Sequence, residues 1–193
     1  LGLAVGDHTK HQHSTNDLIV KFAKKKKNIV RLKGGDPIIF GRGGEEAEYL
    51  KENKIKYEIV PGITSGIGSA TYSGIPLTHR KYASSVVFVT GHEDPEKKTE
   101  VVKWKNLEKS VDTIVIMMGL GRIGIICKQL AQGGMKKDTP VAVIQNGTTS
   151  KHRMITGNIT NIAKIVKEKN FKAPSIIIIG KVVDLSKIIG WKK

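Results

Sequence analysis

Short runs of β-branched residues alternate along this chain with stretches whose apolar residues recur every three or four positions. The runs NIVRL (28–32), YEIV (57–60), SVVFVT (85–90), TIVIMM (113–118), PVAVIQN (140–146) and PSIIIIG (174–180) predict strands. Between them NDLIVKFAKK, GEEAEYLKEN, GIGSATYSG, IGIICKQLAQGG and NIAKIVKEKN predict helices. Such alternation predicts an α/β architecture with a largely parallel sheet system. The stretch VPGITSGIG (60–68) interrupts it with a proline, three glycines and two small hydroxyl residues. It marks the expected joint between two α/β units, residues 1–60 and 61–193.

Composition narrows the partners. A chain of 193 residues with 39% hydrophobic content buries one sizeable core or two small ones. The longest apolar run, IIII at 176–179, is far from the roughly 18 residues of a membrane span, and the first residues do not resemble a secretion signal, so a cytoplasmic address is expected. The lone Cys127, in GIICKQL, reads as a small core residue and excludes a disulfide within the chain. Against 17 Asp and Glu stand 33 Lys and Arg, a net charge of +16, which favours a polyanionic partner: nucleic acid, an acidic membrane or a heavily carboxylated small molecule. Charge alone does not choose among these. The run KKKK (24–27), beside Leu18, Ile19 and Phe22, reads as a solvated helix end rather than a binding patch. With two Trp, four Tyr and four Phe, stacking platforms for single-stranded nucleic acid are not prominent.

Three motifs carry candidate chemistry. GLGRIG (119–124) fits G-x-G-x-x-G, but a dinucleotide fold needs an acidic residue at the end of the next strand; here Asp138 precedes that strand and its end reads QNGT. His8, His11 and His13 of HTKHQH suggest zinc, yet no fourth ligand accompanies them, and solvated or substrate-facing histidines are expected. RLKGGDPIIFGRGGEE (31–46) is not a phosphate loop of the G-x-x-x-x-G-K-[ST] kind, because Glu45 follows its glycines. It offers Gly34 and Gly35 for close backbone approach, Asp36 to accept hydrogen bonds or face a cation, and Pro37 to stiffen the turn. A tight turn before a helix with Glu45 and Glu46 at its positive end explains the acids but not the loop's length.

Together VRLKGGDPIIFGRGGEEAEYL, VPGITSGIGSATYSGIPLTHR, VTGHE, MMGL, TPVAVIQNGTTSKHRMITGNI and APSIIIIGKVV, in this order, resemble the uroporphyrinogen-III C-methyltransferases. GDHTKHQHSTNDLIV (6–20) resembles the family's segment before the GGDP block. The resemblance implies a two-lobed α/β tetrapyrrole methylase fold and a homodimer, with S-adenosylmethionine bound between the lobes and released as S-adenosylhomocysteine. It implies methylation of pyrrole carbons of uroporphyrinogen III to precorrin-2, the precursor of sirohaem and cobalamin. Carried over by position, Gly34, Gly35, Asp36, Ile39, Thr64, Ser65, Met118 and Gly147 are the implied cofactor residues. Arg42, His79 and Arg80 are candidates for the substrate's carboxylates. That chemistry accounts for the positive charge without nucleic acid, a membrane or a metal.

Two departures qualify the resemblance. The family's opening strand and its G-x-G-P-G-D loop are not matched, so the first lobe is expected to be truncated. LGLAVG (1–6) places Leu3 where the family's V-G-K-R-x-G carries a lysine assigned an acid or base role, and an aliphatic side chain transfers no proton. No catalytic acid or base is assigned, and impaired activity is expected. The alternatives are a related methylase acting on another precorrin or on ribosomal RNA, and a non-catalytic remnant that binds cofactor or tetrapyrrole or only assembles as a dimer.

Overall fold

The computed structural model describes residues 8–25, 28–92 and 102–191. They fall into two compact units, Leu1–Thr64 and Ser65–Lys193.

The second unit is built on one five-stranded sheet. Its strands are β1 (Val86–Thr90), β2 (Thr113–Met117), β3 (Pro140–Gln145), β4 (Arg153–Asn158) and β5 (Ser175–Ile179), in the order β1-β2-β5-β3-β4. Only β1 and β2 run parallel; β5 lies antiparallel to both β2 and β3, and β4 is antiparallel to β3. The sheet is therefore mixed, not largely parallel as expected. The error has a physical source: continuous apolar runs report burial on both faces, which here comes from layers on either side of antiparallel pairs. Ile177 and Ile179 of β5 join Ile114, Ile116, Val141 and Val143 on one face, while Ile176 and Ile178 join Val115, Ala142 and Ile144 on the other. Strand β4 was not anticipated, because its residues are only partly buried and polar positions interrupt it.

Helices cover both faces. On one side pack α4 (Trp104–Leu107), α5 (Ile123–Gln132) and α6 (Ile162–Glu168); α5 buries Ile123, Ile126, Cys127 and Leu130, a stripe at helical spacing. On the other packs α3 (Ser65–Tyr72) with Ile75, Val182 and Val183. A short α7 (Ser186–Ile189) follows. Asp112 pins β1 against β2: its Oδ2 accepts hydrogen bonds from the amides and hydroxyls of Ser84 and Ser85, at 2.9–3.1 Å. The Ser85 hydroxyl above all, then the Ser84 amide, holds this carboxyl below the usual aspartate range.

The first unit contains α1 (His8–Ala23) and α2 (Gly43–Glu52). The predicted strands at 28–32 and 57–60 are not strands among the described residues: neither segment joins a ladder. A strand exists only with a neighbour, and here Val30 is 87% exposed and Leu32 83% exposed. Lys24 and Lys25 are exposed in the turn after α1, as expected of a solvated helix end; Lys26 and Lys27 lie outside the described residues. So do Leu3 and its neighbours, and the side chains of the three clustered histidines. Among the described residues no helix is long and apolar enough to cross a membrane.

Candidate functional site

In the first unit the structure gathers residues 34–42 into one turn-rich loop leading into α2. Asp36 organises it. Its Oδ1 accepts the amide N–H groups of Ile38 and Ile39, each at 2.9 Å, and its Oδ2 accepts that of Gly62 at 3.2 Å. These bonds, led by that from Ile39, hold the carboxyl below its ordinary range. The side chain read as an acceptor for a ligand is thus engaged with its own loop. The loop closes again where the Gly43 amide donates to the Pro37 carbonyl at 2.8 Å. Around Gly34 a side chain would meet nothing within 4 Å, so its backbone is open to a ligand, and Ile39 stands exposed nearby. Thr64, at the unit's end, is buried.

Beneath this loop lies a charged cluster that sequence reasoning missed. Glu46 of α2 is buried, and its Oε1 accepts from Gln12 Nε2 at 2.8 Å and from Arg31 Nε and Lys33 Nζ at 3.1 Å; Lys33 also reaches Oε2 at 3.1 Å. Burial pushes this carboxyl up, but the hydrogen bonds of Gln12 and Lys33 and the charges of Lys33 and Arg31 outweigh it, leaving it below the usual glutamate range. Lys33 immediately precedes Gly34, so the cluster anchors the root of the loop. Arg42 takes a left-handed backbone (φ 59°) and its guanidinium grips Glu45, with Nη2–Oε2 at 2.6 Å and Nε within 3.2 Å of both oxygens. That pairing raises the arginine and lowers the glutamate from their ordinary values.

In the second unit the strand ends build a candidate region of their own. Thr90 pairs with Met117, Met117 with Ile176, and Ile176 with Ile144, so β1, β2 and β3 finish at one edge of the sheet. Their carboxyl ends release Gly91, Met118 and Gln145–Asn146–Gly147 there, the position where α/β sheets take ligands. Met118 is 56% exposed on a left-handed backbone (φ 55°). It is held by the Gly91 amide, which donates to the Met117 carbonyl at 2.7 Å, and by Gly119, whose Cα a side chain on Gly91 would strike. Gly147 presses on α3: a Cβ there would overlap the Ser69 hydroxyl and lie 2.7 Å from Ser69 Cβ. Ser65 opens that same helix, one turn before Ser69. Of the glycines in GLGRIG, Gly119 alone makes such a close contact; a Cβ on Gly121 would meet nothing within 4 Å, and one on Gly124 only Ala163 at 3.7 Å.

A further feature of these loops appears only in the folded backbone. Phe40, Arg42, Met118, Asn146 and Thr148 all carry positive φ, as do Lys54 and Asn170 elsewhere among the described residues. Non-glycine residues in this region cost about 1 kcal/mol or more each and collect at functional loops. His79 and Arg80 stand apart from the strand-end edge. His79 exchanges backbone hydrogen bonds with Ala83, just before β1 begins, its ring stacks on Tyr82 with centroids 5.0 Å apart, and its Nδ1 accepts the Lys81 amide at 3.1 Å. This basic turn therefore precedes β1, whose other end leads to Gly91; the strand itself spans roughly 13 Å.

The chain belongs to the tetrapyrrole (corrin/porphyrin) methylases, whose family model matches residues 3–163. Its relatives define the branch more closely. It is 51% identical to a uroporphyrinogen-III C-methyltransferase of Priestia megaterium over 179 residues, 93% of this chain and 75% of that one. It is 48% identical over 193 residues to the S-adenosyl-L-methionine-dependent uroporphyrinogen III methyltransferase of Methanosarcina barkeri, covering 100% of this chain and 76% of the relative. Among solved structures it is similar to the Thermus thermophilus uroporphyrin-III C-methyltransferase complexed with S-adenosylhomocysteine, with a TM-score of 0.76 and 31% identity over 95% of this chain and 78% of that one.

Proposed function

We propose that this chain transfers methyl groups from S-adenosylmethionine to carbon atoms of uroporphyrinogen III, forming precorrin-2 on the way to sirohaem and cobalamin, and that it works as a homodimer. The observation carrying this reading is the 51% identity to a relative of that name over 93% of the chain.

The residues fit the cofactor. Gly34 has open space, Met118 offers an exposed thioether, and the eight implied positions, Gly34, Gly35, Asp36, Ile39, Thr64, Ser65, Met118 and Gly147, include no lysine or arginine to repel a sulfonium. When bound, S-adenosylmethionine supplies an electrophilic methyl group on a cationic sulfur. The chain's task is then positioning, because in-line transfer depends on holding donor and acceptor in alignment. The backbone at Gly34 and Gly35 approaches the cofactor, Ile39 and Met118 exclude water from it, and Asp36 keeps the loop in shape. Loss of charge at sulfur favours such a dry setting. Arg42, already oriented by Glu45, meets a carboxylate of the substrate. His79 and Arg80, a strand's length from Met118, serve a substrate broad enough to reach both places, as a tetrapyrrole is. No described side chain is assigned the role of base.

Isothermal titration of the chain with S-adenosylhomocysteine, alongside Asp36→Ala, tests this reading. Saturable binding weakened by the substitution is expected, and no binding by the folded chain rejects it.

A further inference from the structure

We propose that Gly62 is a positioning residue for the cofactor loop, acting through Asp36. The inference rests on the reading above that residues 34–39 face the cofactor.

Gly62 is separated from Asp36 by 26 residues, yet its amide supplies the third hydrogen bond to that carboxylate, at 3.2 Å. Two ordinary reasons for a glycine do not apply. Its φ lies outside the left-handed region, so no conformational freedom is required, and it is exposed, so no core is being filled. What requires it is a close approach of two backbones. A Cβ at position 62 would lie 2.5 Å from the Gly35 carbonyl oxygen, 3.0 Å from the Gly35 carbonyl carbon and 3.3 Å from Asp36 Cα. All three are main-chain atoms and cannot rotate aside. Any side chain therefore separates the 60–64 segment from the loop and removes one of the three amides that shape it. Gly35 and Asp36 are in direct contact with this latch, Ile39 shares the same carboxylate, and Thr64 follows two residues later. One contact thus sets the place of four residues assigned to the cofactor.

The test compares Gly62→Ala with Gly44→Ala in the full chain. Gly44 lies in the same unit, its Cβ would meet nothing within 4 Å, and it takes no part in the site. Titration with S-adenosylhomocysteine is expected to show affinity reduced about tenfold or more in Gly62→Ala and unchanged in Gly44→Ala, since small misplacements at a binding site cost that much. Steady-state assays are expected to show KM for S-adenosylmethionine raised with kcat retained. A purely structural role instead lowers the active fraction at constant KM, and that result overturns the proposal. So does unchanged affinity in folded Gly62→Ala. Should Gly62→Ala fail to fold, Asp36→Asn removes the same bond by facing an amide donor with another donor; wild-type affinity in that variant rejects the latch. Failure of the unaltered chain to bind S-adenosylhomocysteine rejects the functional reading and the latch with it, whereas equal affinity in wild type and Gly62→Ala rejects the latch alone.

Discussion

The two units hold their candidate loops by different means. In residues 65–193 the loops hang from the edge of a sheet buried on both faces, and apolar packing sets their positions. In residues 1–64 the described segments contain no strand, and polar contacts do that work: Glu46 gathers Gln12, Arg31 and Lys33, and Asp36 gathers three amides. Apolar packing has no group to titrate, whereas carboxylate-centred networks depend on charge and its screening. The candidate loop of the first unit is therefore held by charge, whereas in the second unit the carboxylate of Asp112 pins the starts of β1 and β2, away from the candidate loops.

The sharpest contrast comes from equivalent truncations. Leu130→Ala removes a fully buried side chain from α5 and is expected to cost about 2–5 kcal/mol, whereas Val30→Ala in the first unit, almost wholly exposed, changes stability by less than about 0.5 kcal/mol. Chemical denaturation of both variants checks the pair; a large loss at Val30 breaks the comparison. Next, Gly147→Ala drives a methyl group into Ser69 and is expected to cost about 1–3 kcal/mol with weakened binding of S-adenosylhomocysteine. Adding Ser69→Gly, which clears the two nearest atoms, should restore part of that loss in a double-mutant cycle.

An effect of similar size, about 1–3 kcal/mol, is expected of Glu46→Gln, as Arg31 and Lys33 lose their shared charge partner. Because folding lowers the pKa of Glu46, its stabilisation is present at neutral pH and is lost as pH falls through that depressed value. The variant should therefore show a flatter acid limb in thermal melts than the unaltered chain; identical limbs would remove Glu46 from the account. The least perturbing test uses Cys127, the only cysteine in the chain. Burial pushes its thiol up to about 12, so it should resist alkylation in the native state and react at the rate at which the second unit opens.

Most of the second unit was legible in the linear chain, because β1, β2, β3 and β5 are dense in β-branched residues and α5 carries a clean helical stripe. Strand direction was not legible: IIII buried on both faces looks the same in parallel and antiparallel pairs. In the first unit, NIVRL and YEIV have the composition of strands but stand without a ladder among the described residues, since a strand is a property of a pair. Of the candidate site, GGDP and QNGT were visible as motifs. The left-handed turns at Phe40, Asn146 and Thr148, and the Glu46 cluster drawn from positions 12, 31, 33 and 46, carry no local mark.

Local order thus came from the sequence itself: propensity and periodicity act between near neighbours, and an ordered set of motifs was enough to point to the tetrapyrrole methylases. Tertiary structure alone decided which groups remain open to a ligand. Asp36, read as able to accept hydrogen bonds or face a cation, is engaged by amides from positions 38, 39 and 62; Gly62, read as part of the joint between two units, is a close backbone contact; His79 and Arg80, the end of one motif block, lie before β1, away from its Gly91 end. Hydrogen bonds and steric exclusion between residues distant in sequence exist only once the chain has folded.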